Sequence, residues 1–358
     1  MQSPFLRALE AAPPSGTQYR YGLVYHSGAV VGVIYYQLKF IDLAESLRLD
    51  AVSTKGLWQA TKLAVKKVLA RRISYHTLVV GNMTLTGTYG QYLPSIDAAT
   101  KWTLLTTAAD LLCEHLRAEG IRVRGVLHKD YTTADTPPET PAGYVSFGVQ
   151  PNMLLTIAPD WQSFADYTAA MKSKYRVRVR RARKKAEGLD RRLLSTEEVL
   201  QYSETIHQLY QHVAHGAGFN LFILPVDYFY QLCLQLGDKM KLTAYFDGDQ
   251  MVGFYTSIQN GEELDAHFLG YEPSCNHECQ LYLNMLYDLV DEAIAYRAQH
   301  LVLSRTAMEI KSSIGAEAEE MSLYMKATGP IANALLSRAL DYFVPDTKWT
   351  PRSPFPSK

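Results

Sequence analysis

Two stretches of the chain repeat one pattern of apolar and polar positions. Tyr21–Leu38 (YGLVYHSGAVVGVIYYQL) and Leu242–Ile258 (LTAYFDGDQMVGFYTSI) each run from an apolar strand through a short polar turn into Val-Gly and an aromatic-rich strand. Each turn holds a glycine, Gly28 or Gly248, and a turn glycine between β-rich runs predicts a hairpin. Gly32 and Gly253 hold the same place in the two copies, which predicts a duplicated unit at a spacing of about 220 residues.

The second copy continues with a strand at Glu263–Gly270 and a helix over Glu278–Ala298, where Leu281, Met285, Leu289, Ala293 and Tyr296 recur at three- and four-residue steps. A short strand at Leu301–Leu303 and a helix opened by Thr306–Ser313 and ended by Gly315 follow. The first copy predicts an amphipathic helix over Leu57–Arg72, a strand at Thr77–Asn82, a helix at Ala98–Glu119 and a strand at Ile121–His128. Residues 129–143 are rich in Pro and Thr and read as an exposed loop. After strands at Gly143–Val149 and Met153–Ile157, Phe164, Tyr167, Met171, Tyr175, Val179, Ala182 and Ala186 form one stripe of a long helix over 161–188, capped by Asp160 and closed by Gly188. Ser195 and Glu198 make a capping box for the next helix, to about Val213. The fold class expected is α/β, with tandem domains over 1–140 and 141–358, each a mixed, mostly antiparallel sheet flanked by helices.

Composition adds limits. The 358 residues are 47% hydrophobic and 20% charged, ordinary for a globular protein with room for two cores. No apolar run reaches the roughly 20 residues of a membrane span. The N-terminal stretch has no signal-peptide pattern, and free cysteines suit a reducing cytoplasm, the expected location. Cys275 and Cys279 flank His277, but no second ligand pair follows at finger spacing, so no metal is expected. Net charge is zero, yet residues 172–192 alone carry a net +9. A local basic segment on an acidic body implies a local anionic partner.

Three groups of residues carry candidate chemistry. On the strand Glu263–Gly270, alternation puts Glu263, Asp265, His267 and Leu269 on one face, with Asp265 and His267 roughly 7 Å apart. Asp265 would raise the imidazole pKa towards neutrality, the range of a useful base. The segment SRTAMEIK follows a buried strand, where α/β sheets place ligands. There Arg305 and Lys311 are candidates for binding a carboxylate or phosphate and Glu309 for taking a proton. Tyr255 and Tyr271 lie near the same cleft and are candidates for binding a substrate or protonating a leaving group. On the basic helix, Arg176, Arg180, Arg183 and Lys184 share a face suited to the phosphates of coenzyme A, tRNA or an anionic membrane surface, or form a solvated face only. The His212–His215 pair ends a helix, where cationic histidine is favoured without any metal.

The basic run SKYRVRVRRARKK, the later HFLGY with QLYLNML, and SRTAMEIKSSIGA together resemble the FemAB-like branch of the GNAT superfamily, over roughly residues 140–330. The strand-meander, helix, strand order of the second half is the order of that fold. The resemblance implies tandem GNAT-like domains and transfer of an acyl group from acyl-CoA, or an aminoacyl group from aminoacyl-tRNA, to an amine. It makes Lys311 the counterpart of a lysine implicated in substrate binding. Two departures stand beside it. No helical hairpin of the Fem ligases is inserted. GYEPSCNHECQL also lacks the glycines with which GNAT enzymes cradle pyrophosphate, and Gly81, Gly87 and Gly90 match that loop weakly. An acyltransferase acting on an amine or amino-acid-like acceptor, an aminoacyl transferase and a non-catalytic binding protein are the readings this leaves.

Overall fold

The computed structural model describes residues 3–42, 74–94, 96–216, 221–343 and 349–356. In chain order its first half comprises α1 (Ser3–Ala11), β1 (Thr17–His26), β2 (Ala29–Asp42), β3 (Ser74–Val80), β4 (Gln91–Tyr92), α2 (Ala98–Ala118), β5 (Val123–Thr132) and β6 (Val145–Gly148). Next come β7 (Asn152–Thr156), α3 (Phe164–Ala169), α4 (Ser173–Lys185), β8 (Asp190–Leu193), α5 (Thr196–Gln201), α6 (Ser203–Gly216), α7 (Tyr228–Leu236), β9 (Met240–Asp247), β10 (Gln250–Asn260) and β11 (Glu263–Tyr271). The chain closes with α8 (Pro273–Cys279), α9 (Leu281–Tyr296), β12 (His300–Val302), α10 (Met308–Ser312), β13 (Glu317–Glu319), β14 (Met321–Ala327) and α11 (Pro330–Phe343). The amphipathic helix expected over Leu57–Arg72 lies outside the described residues.

Both repeated hairpins form. β1 pairs antiparallel with β2 around Ser27 and Gly28, both at positive φ, the backbone a tight two-residue hairpin turn requires. β9 pairs antiparallel with β10 around Gly248. Each hairpin gains a third antiparallel strand, β3 or β11, then a long helix, α2 or α9, and then a strand parallel to the third, β5 or β12. This gives two mixed, mostly antiparallel sheets flanked by helices.

Each sheet is completed from the other half. The first sheet has the order β1-β2-β3-β5-β14-β6, with β4 on β2; the second has β13-β7-β12-β11-β10-β9-β8. The strand following β6 leaves for the second sheet and inserts between β12 and β13. The strand following β13 returns the exchange and inserts between β5 and β6. The break expected at residue 140 therefore does not separate the two sheets. α1 likewise belongs to the other half: Phe5, Ala8 and Leu9 join the core built on Phe229 and Leu232 of α7.

Two local expectations change. The long basic helix is two helices, interrupted at residues 170–172, and Ser163 rather than Asp160 caps the first by accepting from the Asp166 amide. α4 buries Tyr175, Val179 and Ala182 on one side, which is why YRVRVR coils as a helix and not a strand. β5 runs on to Thr132, so Lys129 and Asp130 are buried strand residues instead of loop. The Ser195–Glu198 capping box is present at α5. Among the described residues no helix is long and apolar enough to cross a membrane.

Candidate active site

The parallel pairs β3–β5 and β11–β12 hold equivalent positions in the two sheets but differ. β3 stays paired with β5 from His76 to its last residue, Val80. β11 pairs with β12 only over Glu263–Asp265, opposite His300–Val302. Beyond Asp265 the two strands part. β11 runs on to Tyr271, while the chain after Val302 turns away through Ser304, Thr306 and Ala307, all at positive φ. Among the described residues this edge of β11 has no partner strand from Ala266 onward, which leaves its outward backbone groups available to a ligand. On the other edge, Tyr255 faces Leu269 but Ser257 faces Ala266, a β-bulge at His267 and Phe268. The Thr256 hydroxyl fills the bulge, donating to the Phe268 carbonyl at 2.7 Å and accepting from the Phe268 amide at 2.9 Å.

A cavity of about 490 Å³ occupies the wedge. Ala266–Leu269 of β11 and Leu303–Ala307 form its two sides, Tyr282, Leu286 and Leu289 of α9 and Tyr210 of α6 close it, and Met83–Thr86 and Lys129 reach in from the first half. α6 can approach this closely because Gly270 has no side chain: a Cβ there would stand 2.4 Å from the backbone of Leu209 and Tyr210. Gly253 does the same for α9, whose Leu281 would lie 2.7 Å from an added Cβ.

His267 lines the cavity, but its environment is not the one alternation suggested. The ring lies among Phe5, Tyr228 and Phe268, and Nε2 is 2.8 Å from the Tyr228 hydroxyl. Burial pushes the imidazole down to about 3, so it is neutral, the opposite of the upward shift expected from Asp265. Asp265 faces Asn260 Nδ2 at 3.3 Å; burial, then the Glu263 charge, pushes its carboxyl up to about 7. Asp265 is not part of the cavity lining.

Lys311, 4% exposed, lines the cavity. Its ammonium donates to the carbonyls of Leu303 (2.6 Å), Ser304 (3.3 Å) and Arg305 (2.6 Å), pinning the turn on which the far side of the wedge depends. Burial pushes it down to about 7. Arg305 also lines the cavity, but its guanidinium is engaged: Nε donates to the Gln150 carbonyl at 2.9 Å and the Nη groups pair with both oxygens of buried Asp130. Lys129 pairs with the same carboxylate and donates to the Leu85 carbonyl at 2.8 Å. Burial alone would raise the Asp130 carboxyl; Lys129 and Arg305 together hold it below the usual range. Arg305 thus ties the two halves rather than standing free for a substrate carboxylate. Glu309 is outside the cavity. It is exposed, bound to Arg352 at 3.1 Å and to the Thr350 amide at 3.3 Å, and the Arg352 contact lowers its pKa. Tyr255 and Tyr271 line the cavity, and burial raises both phenols.

Arg176, Arg180, Arg183 and Lys184 do come together, around a groove of about 820 Å³ with Phe164 and Thr168. Arg183 turns inward to Asp288 (2.7 Å) and lies over the Phe164 and Tyr287 rings; Arg176, Arg180 and Lys184 are exposed. His212 pairs with Glu272 at 3.3 Å. Sequence reasoning passed over Tyr228, Lys129, Asp130 and Thr256. The first three carry no local signal, since the contacts that set their roles, to His267, Leu85 and Arg305, lie far along the chain; the Thr256 signal, a threonine opposite a bulge, needs the register.

The acetyltransferase (GNAT) domain family matches residues 173–312, from the start of α4 to the end of α10. Comparison with curated proteins returns no match. Among solved structures the chain is similar to FemX, with a TM-score of 0.53 and 11% identity over 95% of this chain and 94% of that one. It is also similar to a tandem GNAT protein from the clavulanic acid biosynthesis pathway, with a TM-score of 0.50 and 11% identity over 92% of this chain and 89% of that one. At these identities the likeness is one of fold. The family match covers the basic helix, both sides of the wedge and Lys311, so residues 173–312 match an acetyltransferase (GNAT) domain, and the chain as a whole has a fold similar to those of FemX and the tandem GNAT protein.

Proposed function

We propose that the chain is an N-acyltransferase that moves an acyl group from acyl-CoA, acetyl-CoA being the simplest, to the amine of an amino-acid-like acceptor. The observation that carries this reading is the wedge between β11 and β12 beside His267, in the half that matches the GNAT domain. The unpaired edge of β11 suits the amide-bearing pantetheine arm of such a donor. The exposed cations of α4 suit the donor's phosphates.

The reaction joins the acceptor nitrogen to the acyl carbon and breaks the carbon–sulfur bond. An imidazole that titrates at about 3 does not deprotonate a free ammonium, so the acceptor attacks as the neutral amine. After attack the nitrogen carries a positive charge and becomes strongly acidic. His267 takes that proton, and the resulting imidazolium returns it to the departing thiolate, giving amide and free thiol. Tyr255 and Tyr271 are among the cavity-lining hydroxyls that could donate to the developing oxyanion or thiolate.

Free-thiol release from acetyl-CoA across a panel of amines and amino acids tests this, with His267→Ala expected to slow turnover by about 10²–10⁴-fold. Failure of acyl-CoA to bind in calorimetry removes the coenzyme A version. The groove on α4 also favours a second reading, aminoacyl transfer from tRNA. That reading requires tight tRNA binding whose salt dependence weakens in Arg180→Ala and Lys184→Ala.

A further inference from the structure

We infer that residues 349–356 form a strap that fixes the two ends of the donor site at once: the start of α4, whose cations line the groove, and α10, whose Lys311 holds the far side of the wedge. The assignment to a donor rests on the acyl-transfer reading; the coupling of the two elements does not.

The segment is neither helix nor strand, yet it is tied down along its length. Toward its start it binds α10. The Thr350 amide donates to Glu309 Oε1 at 3.3 Å, the Arg352 amide to the Ser312 hydroxyl at 3.0 Å, and the Arg352 guanidinium to Glu309 Oε2 at 3.1 Å. Toward its end it binds the break between α3 and α4. The Pro354 carbonyl accepts from the Lys172 amide at 2.8 Å, and the Ser353 carbonyl from the Lys172 ammonium at 3.1 Å. Lys172 is the N-cap of α4 and makes no side-chain cap of its own, so the strap anchors the residue at which that helix begins. Phe355 closes the joint. Its ring lies against Trp161 (5.4 Å between centroids) and Tyr167 (5.9 Å), and Gly315, just beyond α10, leaves room for it: an added Cβ there would stand 2.3 Å from the ring.

Each anchored element carries one end of the proposed donor site. Lys311 of α10 commits all three ammonium hydrogens to the carbonyls of Leu303, Ser304 and Arg305. That turn needs holding, because Ser304, Thr306 and Ala307 are left-handed without being glycine and Thr306 is β-branched; such backbone persists only where its surroundings over-determine it. At the other end α4 presents Arg176, Arg180 and Lys184 to the groove. A donor with its pantetheine arm in the wedge and its phosphates in the groove needs both in register. Phe355, Arg352 and Glu309 line neither space, so they act as positioning residues, and Glu309 serves α10 rather than a substrate proton.

The test uses the full chain, with amide hydrogen exchange and acetyl-CoA calorimetry side by side. Phe355→Ala is expected to quicken exchange at residues 303–307 and 171–176 together, while β10 and α9 stay protected. Acetyl-CoA should bind about tenfold more weakly and donor KM should rise in step, with kcat and acceptor KM little changed. Phe355→Leu keeps an apolar filler and should recover most of the affinity. Arg352→Ala cuts only the exposed end and serves if Phe355→Ala does not fold: exchange should quicken at 303–307 and not at 171–176, with a smaller loss of affinity. Loosening at one end only in folded Phe355→Ala, or unchanged donor affinity with both ends loosened, overturns the inference. Both ends loosening in a protein whose wild type binds no acyl-CoA upholds the coupling and overturns the donor reading.

Discussion

At His267 the alternation that would set Asp265 on its face is broken by the bulge at Phe268, and aromatic rings stand where a carboxylate was expected. The two groups consequently shift in ways that oppose each other in stability. His267 falls from 6.5 to about 3, so between those values the unfolded chain binds more protons, and this contribution, full above 6.5, is lost as pH falls towards 3. Asp265 rises from 3.8 to about 7, so its contribution is full below 3.8 and lost as pH rises through 7. In denaturant titrations between pH 4 and about 6.5, Asp265→Asn should therefore steepen the gain in stability with rising pH, and His267→Gln should turn that gain towards a loss. Lys311 acts in a separate window. Lowered from 10.5 to about 7, it makes the folded state more stable as pH rises between those values, and Lys311→Met should abolish that slope while leaving three turn carbonyls without their donor.

The elements around the cavity are set by two glycines without side-chain substitutes. At Gly270 the colliding atoms of an added Cβ would be helix backbone, 2.4 Å away, which no rotamer change relieves. Gly270→Ala should cost about 1–3 kcal/mol in urea unfolding, because α6 must lift from the sheet. The same shift displaces Tyr210 from the cavity wall, so donor affinity should weaken in parallel. At Gly253 the obstacles are the ends of flexible Leu281 and Met285 side chains, and Gly253→Ala should be the milder change. The split of the basic segment into α3 and α4 follows the same logic of contact: Tyr167 before the break and Met171 within it stay in the core, while Arg176, Arg180 and Lys184 are turned to the groove.

Across the whole molecule, reciprocal insertion of β7 and β14 makes each sheet depend on the other half, and the Lys129–Asp130–Arg305 cluster joins them at the cavity rim. Asp130→Ala would leave buried Lys129 and half-buried Arg305 without their carboxylate and should destabilise by about 3–5 kcal/mol. Since Arg305 lies on the turn held by Lys311, that variant should also disturb the cavity, read out as lost donor binding in a protein that still melts cooperatively. The single wedge has a consequence at this scale as well. Among the described residues the parallel pair of the first half, β3–β5, stays closed and that of the second half, β11–β12, parts, so on the proposed function calorimetry should find one acyl-CoA site per chain despite the tandem fold.

Hairpins, capping box, basic helix and the resemblance of the second half were legible in the sequence by itself, because each depends on residues a few positions apart or on a contiguous motif. So was the gathering of Arg176, Arg180, Arg183 and Lys184 on one face, which helical period alone dictates. Tertiary structure decided the rest. Arg305 meets Asp130 across 175 residues, and a guanidinium read as a substrate ligand becomes a link between halves. Glu309 meets Arg352 and leaves the cavity. Strand exchange depends on which sheet edges remain open, and the charge state of His267 on the rings that exclude water from it. None of these leaves a period or a spacing in the chain, since desolvation and pairing act between surfaces that only folding brings together.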